Sequence, residues 1–214
     1  MSSVWNKIVG QHKAVERLQQ LAINNVHAFL FIGPEGCGKE DAARAFASVL
    51  ITGSDNENSR EANLITRGAF ADVVEVLREG AAVDKDEAEE IIRLASTTPT
   101  ESNVKVVIIH EVHLMRDSAA ARLLKTIEEP SEKVIFILLA DQLVPSLATI
   151  NSRCVVVNFM RLTNDIISET LCNEGVEQGV AIAAANVAAG NLPRARLLAA
   201  DERLAHRQEA FASV

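Results

Sequence analysis

The sequence contains no tyrosine, and aromatic residues make up only 4% of its 214 positions. That leaves little from which to build the stacking platforms on which single-stranded nucleic acid is usually held. Cysteine is equally scarce. Cys37, Cys154 and Cys172 form an odd set with no C-x-x-C pair, so neither a disulfide framework nor a four-cysteine zinc site is expected, and no metal is. No apolar run reaches the ~18 residues of a membrane span. The opening residues Met1 to Lys7 lack the charged and apolar regions of a signal peptide. A cytoplasmic location without membrane contact is the expectation. Nor is there an excess of positive charge: the formal net charge is -8. Because phosphate neutralisation is the main source of non-specific DNA affinity, any contact with DNA is expected to be shared with partners.

What is present is a regular alternation. From Ile8 to about Asn158, apolar runs of strand length alternate with helical patterns, the signature of a parallel sheet covered by helices and hence of an α/β fold. Strands are expected at 27–32, 72–76, 104–109, 134–140 and 155–158. Helices are expected at 11–25, 39–50, 84–96 and 118–129, the last stopped by Pro130. The polar stretch Thr52 to Arg60 reads as an exposed loop. Near Arg161 to Thr163 the β-branched runs cease and the chain becomes alanine-rich. This places a boundary between a domain at 1–161 and a small all-helical domain at 162–214, with helices at 163–173, 177–189 and from Pro193. His12, His27 and His206 have no carboxylate or cysteine company that suggests a ligand set.

Gly33-Pro34-Glu35-Gly36-Cys37-Gly38-Lys39-Glu40 follows a strand and opens a helix, matching the phosphate-loop pattern G-x-x-x-x-G-K up to its last position. In such loops the glycines let backbone N–H groups wrap phosphates and the lysine reaches the outer ones. The hydroxyl that would ligate Mg²⁺ is replaced here by Glu40. Two like charges about 4 Å apart near a surface repel by roughly 4 kcal/mol. The loop therefore reads either as a strand-to-helix connector or as a site for residual ATP, ADP or anion binding, and no cofactor is expected. Val106-Val107-Ile108-Ile109-His110-Glu111 is altered likewise, with histidine where an acidic residue would organise Mg²⁺, a hard cation that prefers oxygen. Glu111 retains the capacity to polarise water. His110 and His113 are three apart rather than the four of a zinc-protease helix.

Ala119-Ala120-Ala121-Arg122-Leu123-Leu124-Lys125-Thr126-Ile127-Glu128-Glu129-Pro130 resembles the A-x-N-A-L-L-K-x-L-E-E-P signature of bacterial clamp-loader subunits in the AAA+ superfamily, with Arg122 departing from the usual Asn. Thr149-Ile150-Asn151-Ser152-Arg153-Cys154 resembles their T-I-x-S-R-C motif. Gln11 fits the family's opening, and the stretch from Gly190 to Arg196 is similar to the lid motif carrying a sensor arginine, here Arg194. The resemblance implies an AAA+ phosphate-loop-type sheet followed by a helical lid, and a third, collar domain beyond Val214, so that the chain looks like a two-domain fragment.

Within that family the degraded motifs resemble the delta-prime type, as does the lack of the four cysteines that gamma/tau and many delta-prime subunits carry after the phosphate-loop helix, where this chain has Thr52 to Arg60. That implies a non-hydrolysing subunit of the DNA polymerase III clamp loader, whose nucleotidyl transfer would belong to the assembly alone. Arg153, aimed by a turn that Ser152 and Cys154 set, would act in trans on the nucleotide site of a neighbour. Partners implied are gamma/tau and delta subunits, the sliding clamp and primer-template DNA. Arg194 would either sense nucleotide or join lid to base. The alternative is an active gamma/tau-like ATPase with Glu40 as an unusual Mg²⁺ ligand. Lys125, Glu128 and Glu129 read as an exposed or inter-subunit helix face.

Overall fold

A computed structural model describes residues 2–78, 80, 85–129 and 133–201. Asp84, Pro130, His206 and the tail from 202 onward lie outside the described residues. The strands are β1 (Ala28–Ile32), β2 (Val73–Val76), β3 (Lys105–Ile109), β4 (Val134–Ala140) and β5 (Val155–Asn158). They form one parallel sheet in the order β2-β3-β4-β1-β5. The central strands read as nearly unbroken apolar runs because both faces of a parallel sheet are covered. Around the sheet run α1 (His12–Leu21), α2 (Lys39–Thr52), α3 (Arg60–Thr66), α4 (Lys85–Ala95), α5 (Asp117–Glu128) and α6 (Ala148–Asn151). Then follow α7 (Asn164–Asn173), α8 (Gln178–Ala188) and α9 (Leu192–Ala199).

The two-residue period of a strand divides the core. Phe29, Phe31, Ile108, Ile137 and Leu139 face α1, α2 and α3. Leu30, Val107, Phe136 and Leu138 face the side covered by α4, α5 and α6. Phe46 of α2 meets Phe29 edge to face, with ring centroids 4.9 Å apart. A separate apolar cluster joins α7, α8 and α9, where Ala181, Ala184, Ala185 and Ala188 keep the helices close.

The sequence pattern located the five strands and most helices; the differences have local causes. The first helix ends at Leu21 rather than Asn25 because the chain turns there, with Asn24 N–H donating to Leu21 O at 3.1 Å. Part of the expected loop ends in α3, which Ser59 caps by accepting from Ala62 N–H at 3.1 Å, with Ala62 and Ile65 on its buried face. The short α6 and the 3₁₀ turns at Val4–Lys7, Val112–Leu114 and Pro145–Leu147 were also not anticipated. The last helix starts one residue earlier than Pro193, capped by Asn191, which accepts from Arg194 N–H at 2.9 Å.

The registers decide the functional geometry. Ile32 lies opposite Ala140 and Asn158, and Ile109 lies opposite Leu138. The C-terminal ends of β1, β3, β4 and β5 are therefore nearly level, and whatever follows them meets at one edge. Open α/β sheets place their ligand crevices along this edge.

Asp72, 1% exposed, sits at the entry to β2 and binds the loop before β3. Its carboxylate accepts from the N–H groups of Thr100, Glu101 and Ser102, each at 2.7 Å, and from two hydroxyls. Burial opposes its ionisation, but those donors outweigh burial and hold the carboxyl at about 2. The folded-state value is depressed, so the stabilisation is present above the ordinary value of 3.8 and is lost as pH falls through about 2. Asp72→Asn should destabilise the chain by roughly 2–3 kcal/mol at neutral pH. Urea denaturation at pH 7 and pH 3 checks this, since the gap between variant and parent should narrow at the lower pH.

Candidate functional site

The loop after β1 is tied into the sheet, with Gly33 N–H donating to Ala140 O at 3.0 Å. Gly36 and Gly38 adopt φ of 71° and 94°, the left-handed region that glycine enters without strain. Gly38 is the N-cap of α2 and offers no side chain to the first helical amides. Gly33, Gly36, Gly38 and Lys39 thus lie along one strand-to-helix turn, as the motif's spacing expects.

The charge balance is different. Lys39 is only 2% exposed, and its Nζ lies 2.8 Å from Asp141 Oδ1, 3.1 Å from Glu40 Oε1 and 3.4 Å from Pro34 O. Burial works against the charged ammonium, yet the two carboxylates outweigh it and raise its pKa. Asp141 is the first residue after β4, which the level strand ends bring beside the loop. Its N–H donates to His113 Nδ1 at 3.2 Å, leaving the proton of a neutral ring on Nε2, which lies 3.7 Å from Asp141 Oδ2. One cation facing two carboxylates leaves no net positive charge for phosphates, and Glu40 stands where the Mg²⁺-binding hydroxyl would be. These residues do not fit a Mg-nucleotide in the manner of an active loop.

The second motif is also engaged internally. His110 follows β3, and its Nε2 lies 3.2 Å from Glu75 Oε2. Glu75 in turn accepts from Nε and Nη2 of Arg44, at 2.7 and 2.8 Å, and Arg44 Nη1 reaches Asp41 at 3.3 Å. Burial resists ionisation of Glu75, but His110 and Arg44 hold it at about 2. Glu111 takes φ of 51°, an uncommon conformation for a non-glycine residue, and its carboxylate pairs with Arg78 at 3.1 Å. Asp141, Glu75, Arg44 and Arg78 escaped sequence reading, and His113 was weighed there only as a zinc ligand. The available signal was a charged residue in or directly after an apolar strand, as with Glu75 and Asp141.

The helices after Leu162 close over the loop. Leu192 N–H donates to Gly36 O at 3.1 Å, and a side chain at position 36 would overlap Asn191. Gln11, 3% exposed, gives its amide N–H to Cys37 O at 3.0 Å and Met160 O at 2.6 Å, and accepts from Met160 N–H at 3.0 Å. A cleft of 360 Å³ remains, lined among others by Val9, Gly38, Glu40, Leu162 and Arg196. Arg194 is exposed and does not line it; Arg196 does, and pairs with Glu174 at 2.6 Å.

Arg153 lies elsewhere. It follows α6 and precedes β5, so it sits at the sheet edge opposite the loop, about a strand's length away. Its Nη1 donates to Thr149 O at 3.0 Å and Ser152 Oγ at 2.9 Å, and its Nε to Glu128. Cys154 packs toward the core, and burial pushes its thiol up to about 12, leaving it unreactive.

A sequence profile described as DNA polymerase III, delta subunit, matches residues 10–163. The chain belongs to that family. It is 36% identical over 173 residues to DNA polymerase III subunit tau of Bacillus subtilis, covering 76% of this chain and 30% of that protein. It is 32% identical over 181 residues to the delta' subunit of the same organism, covering 80% and 55%. The chain thus spans between about a third and about half of these relatives. Among solved structures, a gamma subunit-related protein of Thermotoga maritima superposes with a TM-score of 0.56 at 21% identity, covering 81% of this chain and 58% of its own. RuvB of Thermotoga maritima superposes at 0.60 with 17% identity, covering 90% and 62%. These likenesses establish the AAA+ fold.

Replacing Glu40 by Thr and Asp141 by Asn together would leave Lys39 buried without a counter-charge. That double variant should lose about 3–5 kcal/mol of stability. Millimolar ADP should then raise its melting temperature, while the parent's stays put. A thermal-shift titration checks both arms.

Proposed function

We propose that this chain is a non-hydrolysing subunit of the delta-prime type, working in the cytoplasm within the DNA polymerase III clamp loader. The observation that carries the reading is the pairing of Lys39 with Glu40 and Asp141. A loop whose lysine already holds two carboxylates is poorly suited to binding nucleotide. His110 and Glu111, held by Glu75 and Arg78, are poorly suited to organising Mg²⁺ or water. In this reading residues 1–161 form the AAA+ base and 162–214 the lid. Gamma/tau and delta subunits complete a ring that acts on the sliding clamp and primer-template DNA.

The active contribution is Arg153, offered in trans to a neighbour's nucleotide. A guanidinium delivered this way neutralises charge developing on the transferring phosphoryl group and raises turnover by about 10³- to 10⁵-fold. Its place at the edge of the sheet away from its own loop supports a role outside its own site. Arg194, exposed on α9 and outside the cleft, is in this reading no sensor of nucleotide.

A second reading, an ATPase of the gamma/tau type with Glu40 as a Mg²⁺ ligand, is favoured by the 36% identity to tau. Calorimetry with Mg-ATP separates the two. The delta-prime reading expects no submillimolar binding and no turnover by the chain alone, and either result would sink it. In the reconstituted loader, Arg153→Ala should depress DNA-stimulated ATP hydrolysis by its neighbour about a thousandfold at the site it serves. An unchanged rate would remove Arg153 from the mechanism.

A further inference from the structure

The contacts of Arg153 leave its guanidinium oriented in a specific way. A guanidinium presents five N–H groups in a rigid fork. The Nη1 edge is taken by Thr149 O and Ser152 Oγ, and Nε by Glu128. Nη2 makes no hydrogen bond among the described residues. Backbone and carboxylate together therefore fix the plane of the group while one end stays open.

Glu128 is mounted on a firm support. It occupies the last turn of α5, whose Ala119, Leu123 and Ile127 are buried against the sheet. Thr149 and Ser152 belong to the turn that carries the arginine itself, so Glu128 is the partner that ties the guanidinium to a separate element. The pair is half open to solvent, with side chains 39% and 41% exposed. Exposed ion pairs add little to stability, so this one is not needed to hold the fold.

We infer that Glu128 is a positioning residue for Arg153, holding its Nε so that Nη2 projects toward the phosphates of a neighbouring subunit's nucleotide. This rests on the reading of Arg153 as an arginine acting in trans. The carboxylate itself touches no reacting atom. Its effect is orientational: a guanidinium free to rotate about its stem spends less time in the productive direction, and small misplacements of a catalytic group cost up to about a hundredfold in rate.

The test uses the full-length chain assembled with its neighbouring ATPase subunit, clamp and primed DNA, comparing the parent with Glu128→Ala, Glu128→Gln, Arg153→Ala and the double alanine variant. Glu128→Ala should lower kcat about ten- to hundredfold with KM for ATP little changed. Glu128→Gln, which retains an acceptor for Nε, should recover most of that loss. The double variant should be no slower than Arg153→Ala alone, the non-additivity expected when one residue works through the other. Urea midpoints of all four should match the parent. If Arg153→Ala is slow while Glu128→Ala runs at or above the parent rate, the positioning role is wrong and the arginine stands. Losses that multiply in the double variant also overturn it. If Arg153→Ala is itself without effect, the underlying reading fails and this inference with it.

Discussion

A lysine with 2% of its surface exposed must have a counter-charge, and the way Lys39 obtains one governs the rest of the site. In an active phosphate loop the counter-charge is the nucleotide. Here Glu40 comes from the loop's own helix and Asp141 from the end of β4, so the requirement is met within the chain. Breaking a buried pair from one side strands the remaining charge, which is worth several kcal/mol. Arriving phosphates would thus meet both the repulsion of two carboxylates and the cost of displacing them. The glycines, meanwhile, keep the loop in the shape a phosphate would require.

The same logic extends across the edge of the sheet. Once His110 stands where an acidic ligand would, it needs an acceptor, and Glu75 on the adjacent strand supplies it. Glu75 is then held ionised by Arg44, which projects from the helix the loop opens. Glu111 is taken by Arg78. Each substitution in the two motifs has thus been absorbed into a closed set of pairs, which makes the edge electrostatically settled without ligand. Such an arrangement is a reason to expect rigidity at this edge: the charges gain nothing from opening.

Much of the fold was legible in the sequence because its signals are local. Apolar runs such as Ala28–Ile32 and Val134–Ala140 announce buried strands, and glycines followed by Lys39 announce a strand-loop-helix turn. The residues named from motifs are indeed at the loop, at the end of β3 and beside β5. What sequence reading missed was long-range pairing. Nothing in the spacing says that Asp141 reaches Lys39 across 102 positions, or that Glu75 reaches His110 across 35. Those contacts depend on strand order and register, which apolar runs do not encode. The helix α3 was missed for a different reason: one Ser cap and two buried residues are a weak signal at the end of a polar stretch.

Burial distinguishes the cations at the two ends of the sheet. At the loop, cations are enclosed and paired, as with Lys39 and the half-buried Arg44. At the opposite edge, Arg153 keeps 39% of its side chain exposed and pairs at the surface, where the bond is cheap to break or share. A charge that is to act on a second molecule must remain hydrated and directed, because a buried pair would have to be broken before it could be used. The enclosed lysine and the open arginine are therefore complementary: under the function proposed above, the chain satisfies the charge of its own loop and leaves an oriented cation for a neighbour.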